Sequence, residues 1–370
     1  MWIIISLTVF HDANYIITSV LLSIMGYLER SHYYEKIELI RGRPLIVYMT
    51  SRRQFNGGAL SLDVMSEFCE HIRNIPEDVK EVDLLISSQG GDPVAAWRIV
   101  SLLRERFDKI SVLIPYDAQS AATVLALGAN EIIMHPFSYS GPIDAQIDIL
   151  PRSPNELPKS VSTKDIESYI DFMKNDLMIS DEELGKIASE SLLSELDPSN
   201  IGAIKKSMVF IESLATKLLE FHIEDENSIK EIVDKFTGFS HHGYTIGKTE
   251  AIKLNLPVVK DVDKELEELI WKVWDDADHE MKCREPFDLF SVIIKDKEVM
   301  DRLSMKSEPK KNAPRRIETV EDDTVIAILE TKGMKSHYDV KAIVSAFREN
   351  DLNITTNVRF TGTGWITERV

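Results

Sequence analysis

Four short apolar runs limit this chain more than any other feature: Pro44–Thr50 (PLIVYMT), Val82–Ser87 (VDLLIS), Ile110–Pro115 (ISVLIP) and Glu131–Met134 (EIIM). Each has the length of a strand, and each is nearly continuous in apolar residues rather than alternating. A strand of that kind is buried on both faces. Helical patterns fill the intervals. Between the first two runs, Leu62, Met65, Phe68, Cys69 and Ile72 fall at helical spacing, with Ser61 available as N-cap. After the second run Asp92 can cap a helix whose first turn suits Pro93, and a third helix runs from about Ser120 to Gly128. Short strands alternating with helices predict an α/β fold with a mostly parallel, covered sheet from Arg43 onward.

The flanks read differently. MWIIISLTVF and YIITSVLLSIMGYL are apolar but broken by HDAN, so neither reaches the ~18 residues of a spanning helix, and no basic n-region marks a signal peptide. Residues 1–42 therefore read as an apolar helical segment covered by the fold or by a partner, or as an overextended start. Peripheral membrane association through residues 1–28 is the alternative. Helices dominate from Thr163 to Asp234, and Leu266–Trp274 is amphipathic. The stretch SMKSEPKKNAPRR (304–316) reads as a linker. Beyond it TVIAILET, DVKAIVSAFREN and NITTNVRF predict a small β-α-β appendage over 317–370, leaving 43–303 as the main domain.

Charge narrows the partners. With 61 acidic against 43 basic residues the chain carries −18, which repels nucleic-acid phosphates and anionic membranes. The one dense basic cluster, Lys310, Lys311, Arg315 and Arg316, lies in the linker. Only two cysteines are present, Cys69 on an apolar helix face, where a buried thiol is expected, and the distant Cys283. Neither has metal-ligand spacing, which suggests a reducing, cytoplasmic setting and neither metal nor cofactor.

Two small-residue turns follow successive strands. Ser88-Gln89-Gly90-Gly91 lets backbone N–H groups approach a ligand closely, as a phosphate loop, an oxyanion hole or a plain tight turn would require. No G-x-x-x-x-G-K-[ST] or G-x-G-x-x-G accompanies it. The second turn, Ala118-Gln119-Ser120-Ala121-Ala122, puts a hydroxyl at a helix start, which suits a cap or a nucleophile. In a parallel sheet both turns lie at the carboxyl ends of strands, where α/β sites form.

Taken together, DLLISSQGGDPVAAWRIVSLLR and IPYDAQSAATVLALGANEIIMHPFSYSGPIDAQI resemble the Clp-type and signal-peptide-peptidase clan of serine peptidases, nearest its soluble serine dehydrogenase proteinase branch. The likeness runs from about Arg43 to Asp261, including GYTIGKTEAIKLNLPV. It implies a Clp/crotonase-like spiral of ββα units. It also implies Ser120 as nucleophile, the Gly91 and Ala121 N–H groups as oxyanion hole, and Gly90 and Asp144 in support. Clp-type peptidases place their histidine where this chain has Gly141-Pro142-Ile143-Asp144. The signal-peptide-peptidase side uses a lysine in a K-D-I-like stretch, which Ser162-Thr163-Lys164-Asp165-Ile166 matches. A lysine in a first helical turn, if buried, would be held neutral and able to take the serine proton. Lys164 is thus the expected base, with Lys159 and His135 as alternatives; His241-His242 reads as a loop, since no ligand-spaced carboxylate or cysteine joins it. Gln119, where these peptidases usually have Ala, and the Ala121-Ala122 pair depart from the larger families' pattern.

The expected activity is peptide-bond hydrolysis through a Ser/Lys dyad and an acyl-enzyme, on a peptide or protein substrate, in a homo-oligomer. A crotonase-type acyl-CoA enzyme and a non-catalytic scaffold on the same fold are the alternatives.

Overall fold

The computed structural model describes residues 26–144, 146–149, 159–239, 241–304, 317–348 and 354–370. The expectations for residues 1–25 and for the linker basic cluster lie outside the described residues. Two compact units result. One takes in the described residues up to Ala59, Asp63–Ser88 and everything from Asp263; the other comprises Leu60–Leu62 and Gln89–Val262.

The first unit opens with helix α1 (residues 26–41), then β1 (Leu45–Thr50), α2 (Met65–Arg73) and β2 (Glu81–Ser87). β1 and β2 pair in parallel from Leu45↔Asp83 to Met49↔Ser87. Every residue of β1 is buried, which is why its sequence does not alternate. α2 begins behind a 3-10 turn at Leu62–Val64, so Ser61 does not cap it, and Val64 at its N-cap makes no side-chain cap bond. The buried stripe is Val64, Phe68, His71 and Ile72. Cys69 falls beside that stripe and is exposed, against expectation: one residue, 100° of helix, separates a core position from solvent.

The second unit carries α3 (Pro93–Arg106), β3 (Lys109–Ile114), β4 (Asp117–Ala118), α4 (Ala121–Leu127), β5 (Glu131–Met134) and β6 (Tyr139–Ser140). Asp92 caps α3 by accepting from Val94 N at 2.8 Å, with Pro93 in the first turn as expected. β3 pairs in parallel with β5, and β4 with β6. All seven residues of α4 are buried, so this alanine-rich helix is central and has no polar face. An antiparallel hairpin, β7 (Gln146–Ile149) with β8 (Lys159–Ser162), was not apparent in the sequence. The predicted helical stretch follows as α5 (Thr163–Asp171), α6 (Asp181–Glu195), α7 (Pro198–Leu219) and α8 (Glu226–Thr237). Short β9 (Ile246–Gly247) and α9 (Lys248–Lys253) close the unit, and β9 pairs antiparallel with β6.

The chain then completes the first unit with α10 (Lys264–Glu280), α11 (Leu289–Lys295), α12 (Lys297–Ser304) and three long strands, β10 (Ile317–Thr331), β11 (Met334–Arg348) and β12 (Ile354–Arg369). The predicted β-α-β appendage is therefore an antiparallel meander. It is not separate either, because β10 pairs antiparallel with β1 from Val47↔Glu330 to Thr50↔Ala327. The segment read as a helix buries Val340, Ala342, Val344 and Ala346, every second residue, and the last three pack against Phe287, Ile293 and Val299 of the α11–α12 region. α1 belongs to this unit as well, although residues 1–42 were expected to stand apart. Its fully buried Arg30 pairs with Asp276 at 2.5 Å, Glu280 at 2.6 Å and Glu330 at 2.6 Å, as a buried cation must.

The expected α/β class holds, and the strands read from the sequence pair in parallel where their partners lie in one unit. No helix of the described residues is long and apolar enough to cross a membrane. Among the same residues no group of three or more His, Cys, Asp or Glu could hold a metal ion.

Candidate active site

Ser120 links β4 to α4 with φ 49° and ψ −117°, a left-handed conformation that costs a residue with a Cβ roughly 1–3 kcal/mol. The buried helix behind it holds the turn: Ala122 N donates to Gln119 O at 2.8 Å and Val124 N to Ser120 O at 3.0 Å. Ser120 occupies the N-cap position of α4, yet its side chain makes no cap hydrogen bond. The sequence left cap and nucleophile both open. The structure shows the residue without a cap bond and on the lining of a cavity.

The glycine turn lies against this one. Gly90 has φ 106°, and a Cβ there would come within 2.8 Å of Gln119 O and 2.9 Å of the Ser120 Cβ, so only glycine fits. The next residue bridges to Leu60 through bonds made by its neighbours: Leu60 N donates to Gly90 O at 2.8 Å, and Asp92 N to Leu60 O at 2.9 Å. The Gly91 N–H takes no part in that bridge, and Ala121, as the first residue of α4, has no intrahelical acceptor for its own N–H.

Both residues line a cavity of about 520 Å³ together with Ser120, Gln89, Asp144 and His242. Val124, Ile143, Phe210 and Ile211 supply its apolar wall. The Asp144 side chain is 7% exposed and His242 is 37% exposed, so the carboxylate is buried behind a more accessible imidazole. His242 Nδ1 bonds to Asp144 Oδ1. That hydrogen bond, together with the carboxylate's charge, raises the imidazole above its ordinary pKa against the opposing effect of burial. With Nδ1–H directed to the carboxylate, Nε2 is the nitrogen left to accept a proton. A hydroxyl on a strained turn, the residues Gly91 and Ala121, whose N–H groups have no backbone acceptor among the described residues, and a carboxylate-oriented imidazole thus share one cavity.

The expected base is elsewhere. Lys164 is in the first turn of α5, where its Nζ pairs with Glu167 Oε2 at 2.7 Å, and it is not among the cavity's lining residues. The S-T-K-D-I run that suggested it has a local explanation, a capping box: Asp165 N donates to Ser162 Oγ at 3.2 Å, and Ser162 N to Asp165 Oδ2 at 2.8 Å. Lys159 starts β8, and its side chain lies outside the described residues. His135 is buried beyond β5, with Nδ1 accepting from Phe137 N at 3.2 Å, and does not line the cavity. His242, which the sequence alone assigns to a loop, is the histidine that lines the cavity. Its signal was present in FSHHGY, immediately before the GYTIGKTEAIKLNLPV segment already matched to the family, and in Asp144, a matched acid with no partner assigned.

Residues 58–191 match the family model described as ClpP-like SDH-type serine proteinase. Two curated proteins of Methanocaldococcus jannaschii, both uncharacterized, are similar: MJ1495 is 28% identical over 212 residues, 57% of this chain and 63% of the relative, and MJ0137 is 27% identical over 208 residues, 56% and 63%. The chain therefore spans less than two thirds of the length of these relatives. Distant likenesses among solved structures include a mutant of the membrane-bound stomatin-specific protease 1510-N, at 19% identity and TM-score 0.29, covering 55% of this chain and 77% of that one. A peptidase from Plasmodium falciparum is 13% identical with TM-score 0.30, over 58% and 96%. A probable enoyl-CoA hydratase/isomerase from Mycobacterium abscessus is 17% identical with TM-score 0.22, over 59% and 67%. The matched residues 58–191, which hold the strained serine, the glycine turn and the buried acid, are thus similar to the ClpP-like SDH-type serine proteinases.

Proposed function

We propose that the chain is a serine peptidase in which Ser120 is the nucleophile, His242 the general base and Asp144 the group that orients it. The observation that carries this reading is the convergence of Ser120, Gly91, Ala121 and the His242–Asp144 pair on one cavity. Ser120 Oγ attacks the scissile carbonyl carbon while His242 Nε2 takes the hydroxyl proton. The carbonyl oxygen becomes an oxyanion, met by the Gly91 and Ala121 N–H groups. Collapse expels the amine, which leaves with the proton held on His242, and an acyl-Ser120 ester remains. A water then repeats the sequence, giving its proton to His242 and releasing the carboxylic acid as the proton returns to Ser120.

The chain order of these roles departs from the Clp-type pattern: where Clp-type members are expected to place their histidine this chain has Asp144, and the imidazole comes from the loop before β9. A triad is recognised by geometry and roles rather than by order. The test is covalent labelling with a fluorophosphonate probe. Wild-type protein labels once per chain, while Ser120→Ala does not label. Equal labelling of the Ser120→Ala variant would overturn the assignment.

A further inference from the structure

Resting on that reading of the site, we propose that Thr123 is a positioning residue: its buried hydroxyl ties the loop that carries the nucleophile to the loop that carries the acid. Thr123 is 1% exposed and stands on the third position of α4. Its Oγ1 lies 2.7 Å from Ala118 O and 3.0 Å from Gly141 O, with one proton to serve both, and it accepts from Gly141 N at 3.1 Å. Ala118 precedes the Ser120 turn by two residues, and Gly141 precedes Asp144 by three.

The topology explains why a hydroxyl is needed. β4 and β6 pair for only two residues, ending at Ala118↔Ser140. Past that point Gln119 and Ser120 swing into the strained turn, so the ladder has no backbone partner to offer Gly141. The Thr123 hydroxyl stands in for the missing strand residue and satisfies Gly141 N–H, a buried donor with no backbone acceptor among the described residues. The two loops also touch directly, since a Cβ on Gly141 would meet the Gln119 Cβ at 3.4 Å and its Cα at 3.5 Å. On the other side the acid loop is fixed by Ile143 N donating to Phe236 O of α8 at 3.1 Å. The span from Ser120 to the His242–Asp144 pair is therefore set from one side by α8 and from the other by one side-chain oxygen. Thr123 touches no reacting atom and acts only through this spacing.

Two variants separate the brace from ordinary packing. Thr123→Val keeps the shape and removes the hydroxyl; Thr123→Ser keeps the hydroxyl and removes a methyl from a packed site. Fluorophosphonate labelling rates and thermal midpoints are measured on the full chain of each, over pH 5 to 9. The expected result is a Thr123→Val protein that remains folded but labels roughly 10- to 100-fold more slowly, the scale of an ångström-level misplacement. Thr123→Ser is expected to label near the wild-type rate with an unchanged pH profile, even where its midpoint falls. Labelling of Thr123→Val at the wild-type rate overturns the proposal. So does a loss of labelling that tracks the fall in thermal midpoint across both variants, because packing alone would give that order. Should Thr123→Val fail to fold, a normal pH profile and rate in Thr123→Ser support the brace, and a loss there overturns it. Absence of Ser120-dependent labelling in the wild type defeats the peptidase reading itself and is distinguishable from all of these.

Discussion

Two histidines in different units of this molecule show how the partner decides what an imidazole can do. His242 is partly open to the cavity and bonded to a carboxylate, and its pKa is raised. His71, on α2, is wholly buried between two neutral hydroxyls, with Nδ1 2.8 Å from Thr331 Oγ1 and Nε2 2.9 Å from Ser336 Oγ. Desolvation with no charge to offset it pushes that imidazole down to about 4. One ring is built to receive a proton and the other to refuse it. The first arrangement suits chemistry, the second stability.

The largest effect expected from breaking this contrast is at Asp144. With the carboxylate present, His242 is protonated over a wider pH range than a free imidazole, so the base form emerges only above the ordinary pKa of 6.5. Labelling of Ser120 should accordingly rise with pH through a midpoint above that value. Asp144→Asn should slow labelling by roughly 10² to 10⁴ and shift the midpoint downward. An unchanged rate and midpoint would remove Asp144 and His242 from the mechanism.

A smaller effect is expected at His71, and it concerns folding rather than labelling. Its folded-state pKa of about 4 lies below the unfolded value near 6.5, so the unfolded chain binds a proton that the native state refuses. Stability conferred by the neutral ring is complete above pH 6.5 and is lost as pH falls from there toward 4, by roughly 3 kcal/mol in all. Denaturant unfolding of wild type and His71→Gln between pH 7 and pH 4 should show the steeper decline in the wild type. Parallel declines would contradict the assignment.

The smallest effect is expected at Lys164. Its ion pair with Glu167 is three residues apart on a partly exposed helix start, worth about 0.3–0.5 kcal/mol at most. Lys164→Ala should therefore label at close to the wild-type rate. Loss of labelling in that variant would restore the lysine as base and return His242 to a loop role.

The sequence by itself determined the parallel core and the turn at Ser120. The four apolar runs, the capped helix at Asp92 and the small residues around Ser120 are local signals, each confined to a few neighbouring positions. It misplaced Cys69 because a helical stripe is uncertain by one residue until its packing partner is known. The helix expected over Asp339–Asn350 was misread for a related reason: its alternating burial exists only because β11 is paired on both sides and packed on one face. Register and face are set by such neighbours, and composition does not record them. Only the tertiary structure put an imidazole, and not Lys164, on the cavity that Ser120 lines. Ser162-Thr163-Lys164-Asp165 reads as a motif in sequence and as a capping box in space. His242 is marked in sequence only as one of a histidine pair in a loop, and becomes a candidate because the fold brings Ser120, Asp144 and the loop before β9 to one cavity. A nucleophile needs a particular backbone turn, and a turn is written in adjacent residues. Its base needs only proximity, and proximity across a folded chain is a property of the packing.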